Sequence, residues 1–125
     1  AQAIRLSPND AGIQTQWGAF LQSQRDYRSA QRAYERAIAL DPNYVTALEG
    51  LGDVQLGAGN VNEAIASYQR AVDLAPDRGT AYLLLGLALE TAGRYDEART
   101  AYQRALALGI GSARQALADL DRKQI

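Results

Sequence analysis

The chain has 125 residues, 47% of them apolar and 22% charged, with 13 basic against 14 acidic side chains and a net charge of -1. That is the composition of one soluble globular domain, with no overall field to draw it to nucleic acid or an anionic membrane. Histidine, cysteine and methionine are all absent, which removes imidazole and thiolate metal ligands, the usual general base, thiol nucleophiles and disulfides.

The sequence opens at Ala1, with no basic segment leading into an apolar run, and reads as an excised or processed chain. Its longest uncharged apolar-rich stretch, Gly79 to Leu89, is far short of the roughly 20 residues that span a bilayer. With no cysteine, the chain suits a reducing cytosol and an oxidising periplasm alike.

Pro8, Pro42 and Pro76 follow one another at intervals of 34 residues, and a fixed period in this range signals a repeat architecture. The same interval links Gly18, Gly52 and Gly86; Ala30, Ala64 and Ala98; Tyr34, Tyr68 and Tyr102; and Ala37, Ala71 and Ala105. A further column, Leu6, Leu40, Leu74 and Leu108, and the backward extension to Ala3 mark residues 1–8 as the end of an upstream repeat.

Within each period two apolar stripes at helical spacing are separated by breaker residues, so each repeat is predicted to be a helix pair. In chain order the pairs are placed near 11–24 with 28–40, 44–57 with 62–74, and 78–91 with 96–108. In the second pair Leu48, Leu51 and Gln55 line one helix, Ala64, Ile65, Tyr68 and Ala71 the next, and Gly57 and Gly59 mark a short antiparallel turn. The recurrent glycines cost helix propensity, which points to helix crossings too close for a side chain. Trp17 and the tyrosines recur at core positions and are expected to pack rather than to stack on a ligand.

After Gly109-Ile110-Gly111, a last helix carries Ala113, Ala116, Leu117 and Leu120 on one face and Asp119, Asp121, Arg122 and Lys123 on the other. This is a solvating cap, with Ser112 and Gln115 spaced as a capping box, and it marks the natural end of the array or close to it.

These columns resemble the tetratricopeptide repeat: Tyr82, Leu85 and Gly86, then Ala98, Tyr102 and Ala105, with endings such as ERAIALDPN and QRAVDLAPD. Gln14 and Gln55 depart from the pattern where large residues are usual, and Ile110 stands where a fourth proline would be. The resemblance implies an all-α, right-handed superhelical solenoid of antiparallel helix pairs. Its units would be an upstream remnant at 1–8, repeats at 11–44, 45–78 and 79–112, and a capping helix at 113–125.

The resemblance also implies a non-catalytic scaffold that holds a peptide or protein segment on its concave face, with no cofactor. The family's groove positions fall on Thr15, Ala19, Gln22, Glu49, Asp53, Leu56, Leu83, Leu87 and Glu90. Chaperone-binding members hold a C-terminal carboxylate with Lys, Asn and Arg at such positions. The residues here include Glu49, Asp53, Leu83 and Leu87, so that clamp is missing and a partner with apolar and basic residues is favoured. An acid-base role for Glu49 and Asp53 is set aside, because carboxylates one turn apart are usually a solvated face.

Two alternatives stay open. One is self-assembly through the repeat ends. The other is binding of RNA or an acidic surface through Arg25, Arg28, Arg32 and Arg36, although Glu35 and Asp26 nearby favour a solvated convex face and no nucleic acid is expected.

Overall fold

The computed structural model describes residues 10–123, so the expectation for residues 1–8 lies outside it. Among the described residues there are seven helices and no strand: α1 (Ala11–Ser23), α2 (Tyr27–Leu40), α3 (Val45–Gly57), α4 (Val61–Leu74), α5 (Gly79–Thr91), α6 (Tyr95–Ala107) and α7 (Ser112–Lys123). None is long and apolar enough to cross a membrane.

The turns within the pairs share one device. Asp26, Asn60 and Arg94 each donate their backbone N–H five residues back, to Leu21, Gln55 and Leu89. Arg25, Gly59 and Gly93 donate three back, to Gln22, Leu56 and Glu90. This is a Schellman closure, which requires a residue with positive φ between the helices. Gly59 and Gly93 supply it at φ 88 and 79, whereas the first repeat forces Arg25 to φ 63. After α6, Gly109 takes φ 95 and the same closure recurs between Ile110 and Ala105.

The glycine and tyrosine columns interlock. A Cβ on Gly18, Gly52 or Gly86 would sit 2.8, 2.6 or 2.5 Å from the ring of Tyr34, Tyr68 or Tyr102, respectively. Each ring therefore rests on bare backbone of the facing helix, and Tyr68 and Tyr102 are fully buried. Removing such a ring costs about 3–5 kcal/mol in a close-packed core. Gly50, which lies outside the repeated column, presses on Tyr34 as well, its Cβ position falling 2.4 Å from the ring. Gly79 is pinned in the same way under Ile110, at 2.6 Å.

Repeat 2 carries a polar pair inside this apolar frame. Gln55 and Ser67 are both buried, and the Ser67 hydroxyl donates to Gln55 Oε1 at 2.7 Å. The same two columns read Leu21 with Ala33 and Leu89 with Ala101 in the other repeats. The two departures are thus matched: the hydroxyl is present where the amide needs a donor.

Two expectations are corrected. Ser112 is already the first residue of α7, and the Gln115 amide donates forward to Asp119 at 2.9 Å, so the predicted capping box gives way to a bond along the helix surface. Trp17 is 49% exposed and stacks on Phe20, 50% exposed, with ring centroids 5.4 Å apart. Its column mates Leu51 and Leu85 are buried, because a preceding pair packs on α3 and α5. Among the described residues no helix precedes α1.

α7 closes the far end as expected. Ala113 and Leu120 are buried, and Ala116 and Leu117 pack against the core. Asp121 pairs with Arg99 and Lys123 with Glu90.

Candidate functional site

The first helices α1, α3 and α5 touch one another in sequence, while the second helices meet mainly their partners and the next first helix. The row of first helices is therefore the tighter, inner side of the curve. This is the face on which the predicted groove residues fall.

The structure divides those residues by what they still offer. Thr15 is buried, with its hydroxyl donating to the Ala11 carbonyl at 2.8 Å. Glu49 is only 7% exposed, and both its oxygens accept from Arg78, at 2.7 and 2.9 Å. Ala19 is exposed, and Gln22, Asp53, Leu56, Leu83 and Glu90 are half-buried. Leu87 is 41% exposed.

Three groove residues also serve the core. The Tyr34 hydroxyl donates to Gln22 Oε1 at 2.8 Å and the Tyr102 hydroxyl to Glu90 Oε1 at 2.6 Å. In the second repeat Leu56 occupies the corresponding acceptor position, and the Tyr68 hydroxyl turns to Asp53 one helical turn earlier. A buried phenol must find an acceptor, and the inner face supplies one in every repeat. The sequence signal is a polar residue twelve positions before the tyrosine, in the first and third repeats only.

Charge on this face is mostly balanced. Burial raises the Asp53 carboxyl above the ordinary range and nearby Glu49 adds to this, against the opposing bond from Tyr68. Burial would raise Glu90 too, but the bonds from Lys123 and Tyr102 hold it below its usual value. Burial and the adjoining carboxylates push the Tyr68 and Tyr102 phenols far up, so both stay neutral donors. Asp53 is left as an inner-face carboxylate with no cation salt-bridged to it among the described residues.

Leu83 and Leu87 form the apolar floor of a cleft of about 660 Å³ between α5 and α7. Gln115, Ala116 and Asp119 line its far side, and Arg122 and Lys123 stand at its rim. These α7 residues were not in the sequence-derived set, because the cap helix follows no repeat column. The structure brings Leu83, Leu87 and Glu90 together with them, while Thr15, Ala19 and Gln22 stand on α1, two helix pairs away. Among the described residues no cluster of carboxylates is arranged to hold a metal ion.

A sequence profile described as tetratricopeptide repeat matches residues 21–79 and 52–113. Comparison with curated proteins returns no match. Among solved structures, the first TPR of Spaghetti (RPAP3) bound to the HSP90 peptide SRMEEVD is similar with a TM-score of 0.88 and 20% identity, over 97% of this chain and 98% of that one. The Arabidopsis OM64 TPR domain follows at 0.87 and 24%, over 94% and 98%. MamA, residues 41 to the end, from Desulfovibrio magneticus RS-1 gives 0.84 and 27%, over 93% and 67%.

Proposed function

Since this chain belongs to the tetratricopeptide repeat family, whose members are protein–protein interaction scaffolds, we propose that it is a non-catalytic adaptor that seats a segment of a partner protein along its inner helix row. The observation that carries this reading is the Leu83–Leu87 cleft, an apolar floor left open between α5 and α7 at the end of the inner face. Apolar surface walled on two sides in this way gains most by receiving a side chain.

The partner segment carries an apolar residue into that cleft and a Lys or Arg toward Asp53. Glu49 no longer adds to the acidic character, since Arg78 neutralises it. The demand for a cation therefore narrows from two carboxylates to one. A carboxylate-ended tail of the kind named for the RPAP3 structure would find no clamp cations at these positions and would meet Asp53 instead.

Selection from a displayed peptide library tests the reading. The native chain should enrich peptides with an apolar anchor and a nearby basic residue. Leu83→Glu/Leu87→Glu should lose the whole set, and Asp53→Asn should lose only the basic preference, each variant keeping its helical circular dichroism. Equal enrichment by the double glutamate variant would refute the site.

A further inference from the structure

Lys123 is the sole lysine among the chain's 13 basic residues, and it stands at the rim of the Leu83–Leu87 cleft, paired with Glu90. The inner-face carboxylates are treated in three ways. Glu49 is closed by the two-pronged grip of Arg78. Asp53 has no salt bridge among the described residues. Glu90 is met by a single ammonium, at Oε2. A guanidinium fork is pre-organised to hold both oxygens of a carboxylate, whereas an ammonium is a point charge on a flexible stem and grips less firmly.

The charge on Glu90 exceeds what the fold asks of it. Its Oε1 accepts from the Tyr102 hydroxyl at 2.6 Å, but in the first repeat the neutral Gln22 does the same for Tyr34 at 2.8 Å. Nor does α7 depend on Lys123 to dock, since Ala113 and Leu120 are fully buried and Asp121 pairs with Arg99. Lys123 keeps 54% of its side-chain exposure against 13% for Glu90, and an ion pair with so open a partner is worth on the order of 1 kcal/mol or less. Leu87 lies one turn before Glu90 on α5 and shares its repeat column with Asp53 on α3. The apolar floor is thus flanked by two carboxylates, one open and one carrying the lysine.

Building on the groove reading above, we propose that Glu90 is a second cation subsite and that Lys123 is its internal occupant, the residue that sets the charge preference of the cleft. A partner segment with one basic residue uses Asp53 and leaves Lys123 in place. A segment with a second basic residue, beyond its apolar anchor, exchanges it for Lys123 on Glu90. One exposed cation then replaces another, and little affinity is gained. Loss of the Lys123 charge, by substitution or by acetylation of its amine, opens the subsite and turns the chain toward doubly basic segments.

The probes are two versions of the leading peptide from the library selection: one with a single lysine beside its apolar anchor, and one with a second lysine on the anchor's far side. The native chain should bind the two within about twofold of each other. The Lys123→Ala chain should bind the doubly basic version about fivefold more tightly than the other, and Lys123→Ala/Glu90→Gln should remove the difference. The amide in that variant keeps an acceptor for Tyr102, as Gln22 does for Tyr34. With isotope-labelled lysine the native chain gives one lysine signal, which only the doubly basic peptide should shift. Equal affinities for the Lys123→Ala chain, with both peptides still lost on Leu83→Glu/Leu87→Glu, would overturn the proposal and leave the groove reading standing. Peptides that bind Leu83→Glu/Leu87→Glu as well as the native chain would overturn both.

Discussion

The guanidinium of Arg78 closes on both carboxylate oxygens of Glu49, at 2.7 and 2.9 Å, and ties the entrance of α5 to the inner helix of the preceding pair. Arg78 keeps 42% of its side-chain exposure and Glu49 only 9%, so the two sides of the pair are unequal. Arg78→Ala strands a buried carboxylate and should destabilise more than Glu49→Gln. A double-mutant cycle read by urea unfolding should give a coupling of about 1–2 kcal/mol, reduced from a fully buried pair by the solvent around Arg78.

The Gln55–Ser67 pair predicts a sign change. Gln55→Leu alone restores the apolar residue of the other repeats but leaves the Ser67 hydroxyl unpaired, and should cost about 1–3 kcal/mol. Adding Ser67→Ala recreates the Leu–Ala combination of repeats 1 and 3 and should return stability to the native value or above. Equilibrium unfolding of the two singles and the double decides it.

Arg25 holds a backbone conformation that its column mates reserve for glycine. Arg25→Gly should raise stability by about 1 kcal/mol, since a side chain in the left-handed region costs about that much. Gly59→Arg should lower it by a similar amount. The check is the urea midpoint at unchanged slope.

Acid acts on the two half-buried carboxylates with opposite signs. Glu90 has its folded value held below 4.5, so its contribution is full above that pH and is lost as pH falls through the depressed folded value. Asp53 has its folded value raised above 3.8, so its contribution is full below that pH and is lost as pH rises through the raised value. Glu90→Gln should therefore flatten the acid limb of the stability curve. Asp53→Asn should stabilise at neutral pH, with the gain vanishing in acid. Urea unfolding of both variants from neutral pH down to about pH 3 reads both effects.

The helix pairs were legible because proline, glycine and tyrosine recur at positions where only those residues fit: Gly52 under the Tyr68 ring shows why that column cannot drift. What stayed hidden depends on relations between columns or across repeats. Glu49 looked like a free groove carboxylate because its partner lies 29 residues on, at the far end of the repeat and beyond the helix pair that Glu49 belongs to. Arg25 carries no turn signal, since arginine seldom takes positive φ. Trp17 was read as core because column logic gives every repeat a neighbour on both sides. The α7 wall of the Leu83–Leu87 cleft was out of reach for a related reason: a capping helix obeys no period.

The most direct test of the central claim is an amide chemical-shift map of the labelled chain titrated with a peptide selected on it. The account predicts perturbations centred on Leu83, Leu87 and Glu90 of α5 and on Gln115 and Asp119 of α7, reaching Asp53 when the peptide carries its basic residue. Perturbations confined to α2, α4 and α6, with α5 and α7 unmoved, would contradict it and move the working surface to the outer face.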